Sequence, residues 1–68
     1  MADTERLVEI IHGRGIKKCY IADRMGIDRA TLDRKLKKQS DFTVGEINSL
    51  VDAIGGLPSK TIMDIFFT

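Results

Sequence analysis

A single cysteine, Cys19, is all the thiol this chain has. No disulfide can close within it, and one isolated thiol suits a reducing cytosol. Apolar runs are short, and none approaches the ~20 residues needed to cross a bilayer. The opening residues, Met1-Ala2-Asp3-Thr4-Glu5, put acids where a secretory leader needs a basic start and an apolar centre. These absences set the expectation of a cytoplasmic protein with no membrane partner. Repeats, linker-like stretches and low-complexity tracts are missing too, which argues against disorder. No Ser or Cys stands with a His and an acid in workable register, and no glycine-rich loop is suited to cradle phosphate. The only histidine, His12, has no carboxylate pair at metal-ligand spacing and reads as a surface or capping residue. No enzyme, cofactor, metal site or small-molecule substrate is expected.

What is present fits one small domain over residues 1–68. A chain of this length buries only about 60% of the surface its unfolded form exposes, enough for one core but not for a deep cleft between domains. Net charge is a mere +1, yet its distribution is uneven. Nine of the eleven Lys and Arg residues fall between Arg14 and Lys38, alongside only three acids, Asp23, Asp28 and Asp33. That block carries +6 and the remainder −5. A basic block on an otherwise acidic protein is the footprint of a face that binds polyanions, or else a solvated helix surface.

Apolar spacing is helical throughout, and nothing reads as a strand. Leu7, Ile10 and Ile11 define a first helix, ended at Gly13-Arg14-Gly15, where glycine can adopt a left-handed conformation. Ile16 begins a second stretch, with Ile21, Ala22 and Met25, which stops at Gly26. Asp28 is placed to cap a third helix, whose inner stripe is Leu32 and Leu36. Thr43 and Glu46 have capping-box spacing, with Phe42 positioned to staple onto Ile47. Ile47, Leu50, Val51 and Ile54 then make an unbroken amphipathic face. Pro58-Ser59 opens a fifth helix carrying Ile62, Ile65 and Phe66. The predicted fold is all-α, five short helices around one core.

Within the basic block, residues 21–32 have the pattern of a helix-turn-helix, over about 17–38. Such a motif needs a small residue where the second helix crosses the first, and Ala22 supplies it. Four residues on, the turn needs a backbone shape that glycine takes without strain, and Gly26 supplies that. Ile21, Met25, Ile27 and Leu32 fill the surrounding apolar slots. In these residues, and in Gly15-Ile16-Lys17-Lys18, Phe42-Thr43-Val44-Gly45-Glu46-Ile47 and Ile65-Phe66-Phe67, the chain resembles the Cro and C1 repressor-type helix-turn-helix proteins. Within that family it looks like the short regulators of phages and mobile elements of Gram-positive bacteria.

The resemblance implies a lambda-repressor-like DNA-binding domain that lays its third helix in the major groove. It implies base contacts from Arg29, Ala30, Asp33 and Arg34. Phosphate contacts would come from Lys18, with Lys17 beside it, and from Lys37 or Lys38. A helical wheel at about 100° per residue independently places Arg34 opposite the Leu32/Leu36 stripe. Ala30 and Lys37 fall on one flank and Lys38 on the other. Arginine is the natural bidentate donor to guanine O6 and N7. Arg29 lies nearer the buried flank, but in the first turn, the end that enters the groove.

Several residues depart from the family pattern. Lys17 replaces a capping Ser or Thr and cannot accept amide hydrogen bonds. Lys18 stands in place of a common Gln. Lys35 occupies a slot that relatives fill with an apolar side chain, and Leu36 is expected to take over the packing. Asp33 either accepts from cytosine N4 or pairs with Arg29 and Lys37 at i−4 and i+4. Tyr20 is a phosphate donor or a partly buried ring, and Cys19 a packed thiol or a redox switch. Met25 and Met63 are expected in the core. Phe66 and Phe67, adjacent on one helix, cannot both enter it, which leaves one free for a partner.

Taken together, these readings predict a sequence-specific transcriptional regulator, a Cro-like repressor whose partner is double-stranded DNA. A homodimer on a palindromic operator is expected. The alternative is an antirepressor that keeps the fold and binds another protein, which would want an apolar outer face on the third helix.

Overall fold

Capping decides where most of the helices begin. In the computed structural model, which describes residues 3–38 and 40–67, five helices follow one another. They are α1 (Thr4–Gly13), α2 (Lys18–Met25), α3 (Arg29–Leu36), α4 (Val44–Ala53) and α5 (Ser59–Phe66). There is no strand among the described residues. The expected domain span, 1–68, also takes in Met1, Ala2, Gln39 and Thr68, which lie outside them.

Asp3 caps α1 by accepting from the Arg6 amide. Asp28 caps α3, its Oδ1 accepting from the Thr31 amide at 2.8 Å. At α4 the capping box is complete: the Glu46 amide donates to Thr43 Oγ1 at 3.1 Å, and the Thr43 amide to Glu46 Oε1 at 2.9 Å. Each such cap is worth about 1 kcal/mol. Lys17 at the start of α2 makes no side-chain cap, as its chemistry requires.

Two glycines turn the chain where a side chain would be strained. Gly15, with φ of 68°, follows α1, and Gly26, with φ of 73°, ends α2. The amide of Ile27 then bonds back to the carbonyl of Ala22, so α3 starts one tight turn after α2 stops. α2 packs against both α3 and α4, while α1 touches α3 and α5. Leu7, Ile11, Ile21, Leu32, Leu50 and Ile65 are fully buried where these helices meet, with Ala22 buried beside them. The Asp3 amide donates to the Ile65 carbonyl at 2.7 Å, which fastens α5 to the start of α1.

Three apolar assignments change. Met25 packs against the core as expected, but Met63 is 54% exposed. It lies on the outer side of α5, away from Ile62, Ile65 and Phe66. Cys19 is an exposed thiol, not a packed one. Lys35 is buried together with Leu36 rather than displaced by it. Of the adjacent phenylalanines, Phe66 closes the core and meets Phe42 edge-on, with ring centroids 5.7 Å apart. Phe67 is exposed.

Candidate nucleic-acid interface

The outward side of α3 follows from its buried side. Leu32, Lys35 and Leu36 face inward, which leaves Arg29, Ala30 and Arg34 exposed on the helix, with Lys37 and Lys38 exposed just beyond it. Arg34 is not loose on this surface. Its Nη2 donates to Thr31 Oγ1 at 2.9 Å. The Thr31 amide in turn donates to Asp28, and the nearby Thr31 hydroxyl and this amide, with a smaller effect from the Arg34 charge, hold the Asp28 carboxyl below the usual carboxylate range. One polar chain, Asp28 to Thr31 to Arg34, thus runs along the first turns of α3.

The helix is shorter than the wheel assumed. Lys37 forms its C-cap, and Lys38 has a left-handed backbone with φ of 63°. Lys38 therefore leaves the helical path, and its position on the wheel no longer applies.

Asp33 has a different partner from one of those expected. Its carboxylate meets Arg29 Nε at 4.0 Å and Lys18 Nζ at 3.5 Å. Lys37 forms no salt bridge with it among the described residues. The i+4 position lies at the fraying end of α3, whereas Lys18, the first residue of α2, stands across from the middle of α3.

Much of the basic block serves the fold. Arg14 Nη1 donates to the carbonyls of Ile54 and Gly56, both at 2.7 Å, satisfying the end of α4, whose last turn carries no basic residue of its own. Arg24 pairs with Asp52 at 2.9 Å and lies over the Tyr20 ring. Lys35 Nζ reaches Glu46 at 3.1 Å and the Asp41 carbonyl at 2.8 Å, above the Phe42 ring. The amide of Thr43 and the Lys35 ammonium hold the Glu46 carboxyl below its ordinary value, against a partial desolvation that pushes the other way. Sequence reasoning missed these roles of Arg14 and Lys35. The bare end of α4 was the available signal for Arg14, and the apolar slot filled by a long cationic stem was the signal for Lys35.

Within the basic block, the cations with neither a salt bridge nor a backbone carbonyl to bind among the described residues are Lys17, Arg34, Lys37 and Lys38. All four are exposed. Where α1, α2 and α3 begin or end together, an open cleft of about 340 Å³ is lined by His12, Ile16, Lys17, Lys18, Cys19 and Arg29. No carboxylate lines it. Of the expected site residues, Lys17, Lys18 and Arg29 meet at this cleft, while Ala30, Arg34, Lys37 and Lys38 continue along α3 and its end. The described residues contain no cluster of His, Cys, Asp or Glu suited to a metal ion. None of their helices is long and apolar enough to cross a membrane.

Comparison with known proteins gives no match: no family model, no curated protein and no solved structure is similar to this chain at a significant level.

Proposed function

We propose that this chain is a sequence-specific regulator of transcription that binds double-stranded DNA in the cytoplasm. In this reading α2 and α3 form a helix-turn-helix, and α3 lies in the major groove. The observation that carries it is the outer surface of α3. Arg34 is outward, braced by Thr31 and free of a salt bridge, with Lys37 and Lys38 exposed beyond it. Gly26 in its left-handed turn and the small, buried Ala22 fit what such a motif needs of its backbone and of its helix crossing.

Arg34 and Ala30 reach base edges in this arrangement, the arginine as a bidentate donor to guanine and the alanine methyl against thymine. Arg29 enters the groove from the first turn of α3, with Asp33 one turn behind it as its ion-pair partner. Lys17 and Lys18 at the cleft, and Lys37 and Lys38 beyond α3, meet phosphates. A single module of this size reads too few base pairs to select one genomic site, so two copies on a palindrome are proposed, their half-sites about one helical turn apart. A Cro-like repressor that covers its promoter is the form of regulation proposed. An antirepressor would want apolar groups where Arg34 and Lys37 stand.

Selection from a pool of random duplexes tests the reading. One enriched motif, bound with an affinity that falls steeply as salt rises, is the expected result. A pool that stays random, together with retention that does not depend on salt, overturns it.

A further inference from the structure

We infer that Asp33 acts as an internal counter-ion, holding Lys18 and Arg29 away from phosphates so that DNA of the wrong sequence is bound weakly. The inference rests on the DNA-binding reading and adds to it a residue that sets specificity. Lys18 and Arg29 both line the cleft, which no carboxylate lines, and both are turned toward Asp33. The carboxylate forms ion pairs with Lys18 through Oδ1 at 3.5 Å and with Arg29 through Oδ2 at 4.0 Å, so each oxygen faces one cation. Asp33 is the only salt-bridge partner of either cation among the described residues. The carboxylate and the lysine are each about one-third exposed, at 32% and 31%, whereas Arg29 is 65% exposed. The pairing therefore spans α2 and α3 at the surface, where a phosphate can compete for the same cations.

The energetic sense follows from counterion release. Binding of duplex without sequence selection comes almost wholly from phosphate neutralisation, and each phosphate neutralised contributes about −0.9 to the slope of log K against log salt. A cation already paired within the protein contributes less, because its charge is partly neutralised by the carboxylate before the phosphate arrives. Such pairing costs little folding stability at an exposed position, where ion pairs contribute about 0–1 kcal/mol. Removing the carboxylate leaves the fold in place and frees two cations at once. Asp33 is thus a positioning residue: it acts through Lys18 and Arg29 and needs no contact with DNA itself.

The test compares Asp33→Asn, Asp33→Glu and Asp23→Asn with the unaltered chain. Asp23 is exposed on α2 and makes no salt bridge among the described residues, so Asp23→Asn changes net charge equally without freeing a cation. Each protein is titrated with a mixed-sequence duplex and with heparin between 0.05 and about 0.3 M salt, and thermal melting verifies that each is folded. Asp33→Asn should bind the duplex roughly tenfold or more tightly at about 0.1 M salt, with a slope steeper by one to two units. Asp33→Glu should stay near the unaltered chain, and Asp23→Asn should keep its slope. Equal slopes for Asp33→Asn and Asp23→Asn would overturn the counter-ion while leaving DNA binding intact. A steeper slope of Asp33→Asn on heparin alone, with no protein binding duplex, would support the counter-ion and sink the DNA reading instead. No binding to either polyanion by any of the four proteins overturns both.

Discussion

At the scale of single residues, Lys35 and Glu46 show how a charge can be spent inside a small core. Their side chains are 8% and 19% exposed, 3.1 Å apart, and they tie α3 to the capping box of α4. The folded Glu46 carboxyl holds its proton less tightly than its ordinary value of 4.5, so on acidification the unfolded chain takes up protons first. Its contribution to stability is whole above that value and is lost as pH falls through the lower folded one. Glu46→Gln should therefore flatten the acid limb of a stability profile followed by urea melts, and a limb as steep as before would remove Glu46 from that role. On the outer surface the expectation concerns readout. Arg34→Ala should weaken binding to a selected site by about 1–3 kcal/mol and relax the preference at one base position. An unchanged sequence profile at full affinity would take Arg34 out of base recognition. Arg34 was legible in the sequence because its direction is set by periodicity, which local spacing fixes. The roles of Arg14 and Lys35 were not, since the partner of a long cation depends on which distant backbone the fold brings to it.

Elements were the most legible scale, for physical reasons that can be named. Asp28 and the Thr43/Glu46 box lie within three residues of the amides they cap, so those helix starts follow from local chemistry. The end of α3 did not, because Leu36 is followed by two lysines with no glycine to mark the stop, and Lys38 itself takes the left-handed turn. Met63 was misplaced for a related reason: a short amphipathic helix gives the period of its apolar residues, not which of the marginal ones the neighbours cover. Between α2 and α3 the tightest requirement falls on Ala22, which is buried among the packed helices. Ala22→Leu should cost about 1–3 kcal/mol through overpacking and lower DNA affinity with it. Native melting together with full affinity would mean that the two helices do not cross at this residue.

For the molecule as a whole, the charge halves and the apolar remainder point in different directions. Lys17 lies at the cleft and Arg34, Lys37 and Lys38 on α3 and just past it, while Met63 and Phe67, 54% and 53% exposed, lie toward the other end of the chain. Met63 is exposed on α5 and Phe67 at its C-cap, and this end of the helix is where the proposed second copy would meet the first. Phe67→Ser should leave the monomer folded and lower the cooperativity with which two copies fill a selected palindrome. Sedimentation with and without that duplex reads the outcome. Saturation at one protomer per site would sink the dimer, and a dimer indifferent to Phe67→Ser would move the contact elsewhere.

The clasp of Arg14 on the end of α4 also bears on the order in which the chain folds. Its two hydrogen bonds join residues 40 and 42 positions apart, so a long loop must close before either can form. The caps of α3 and α4 need only three residues each and can be present much earlier. The clasp then belongs to the native side of the folding barrier, and its loss should fall on the rate of leaving the native state. With hydrogen bonds to a charged donor worth about 1.5–3 kcal/mol, Arg14→Ala should speed unfolding roughly ten- to hundredfold and leave refolding nearly unchanged. Stopped-flow mixing separates the two limbs, and a slowed refolding limb would place Arg14 in the nucleus instead. On this account Arg14, which lies outside α2 and α3, governs how long a folded molecule persists.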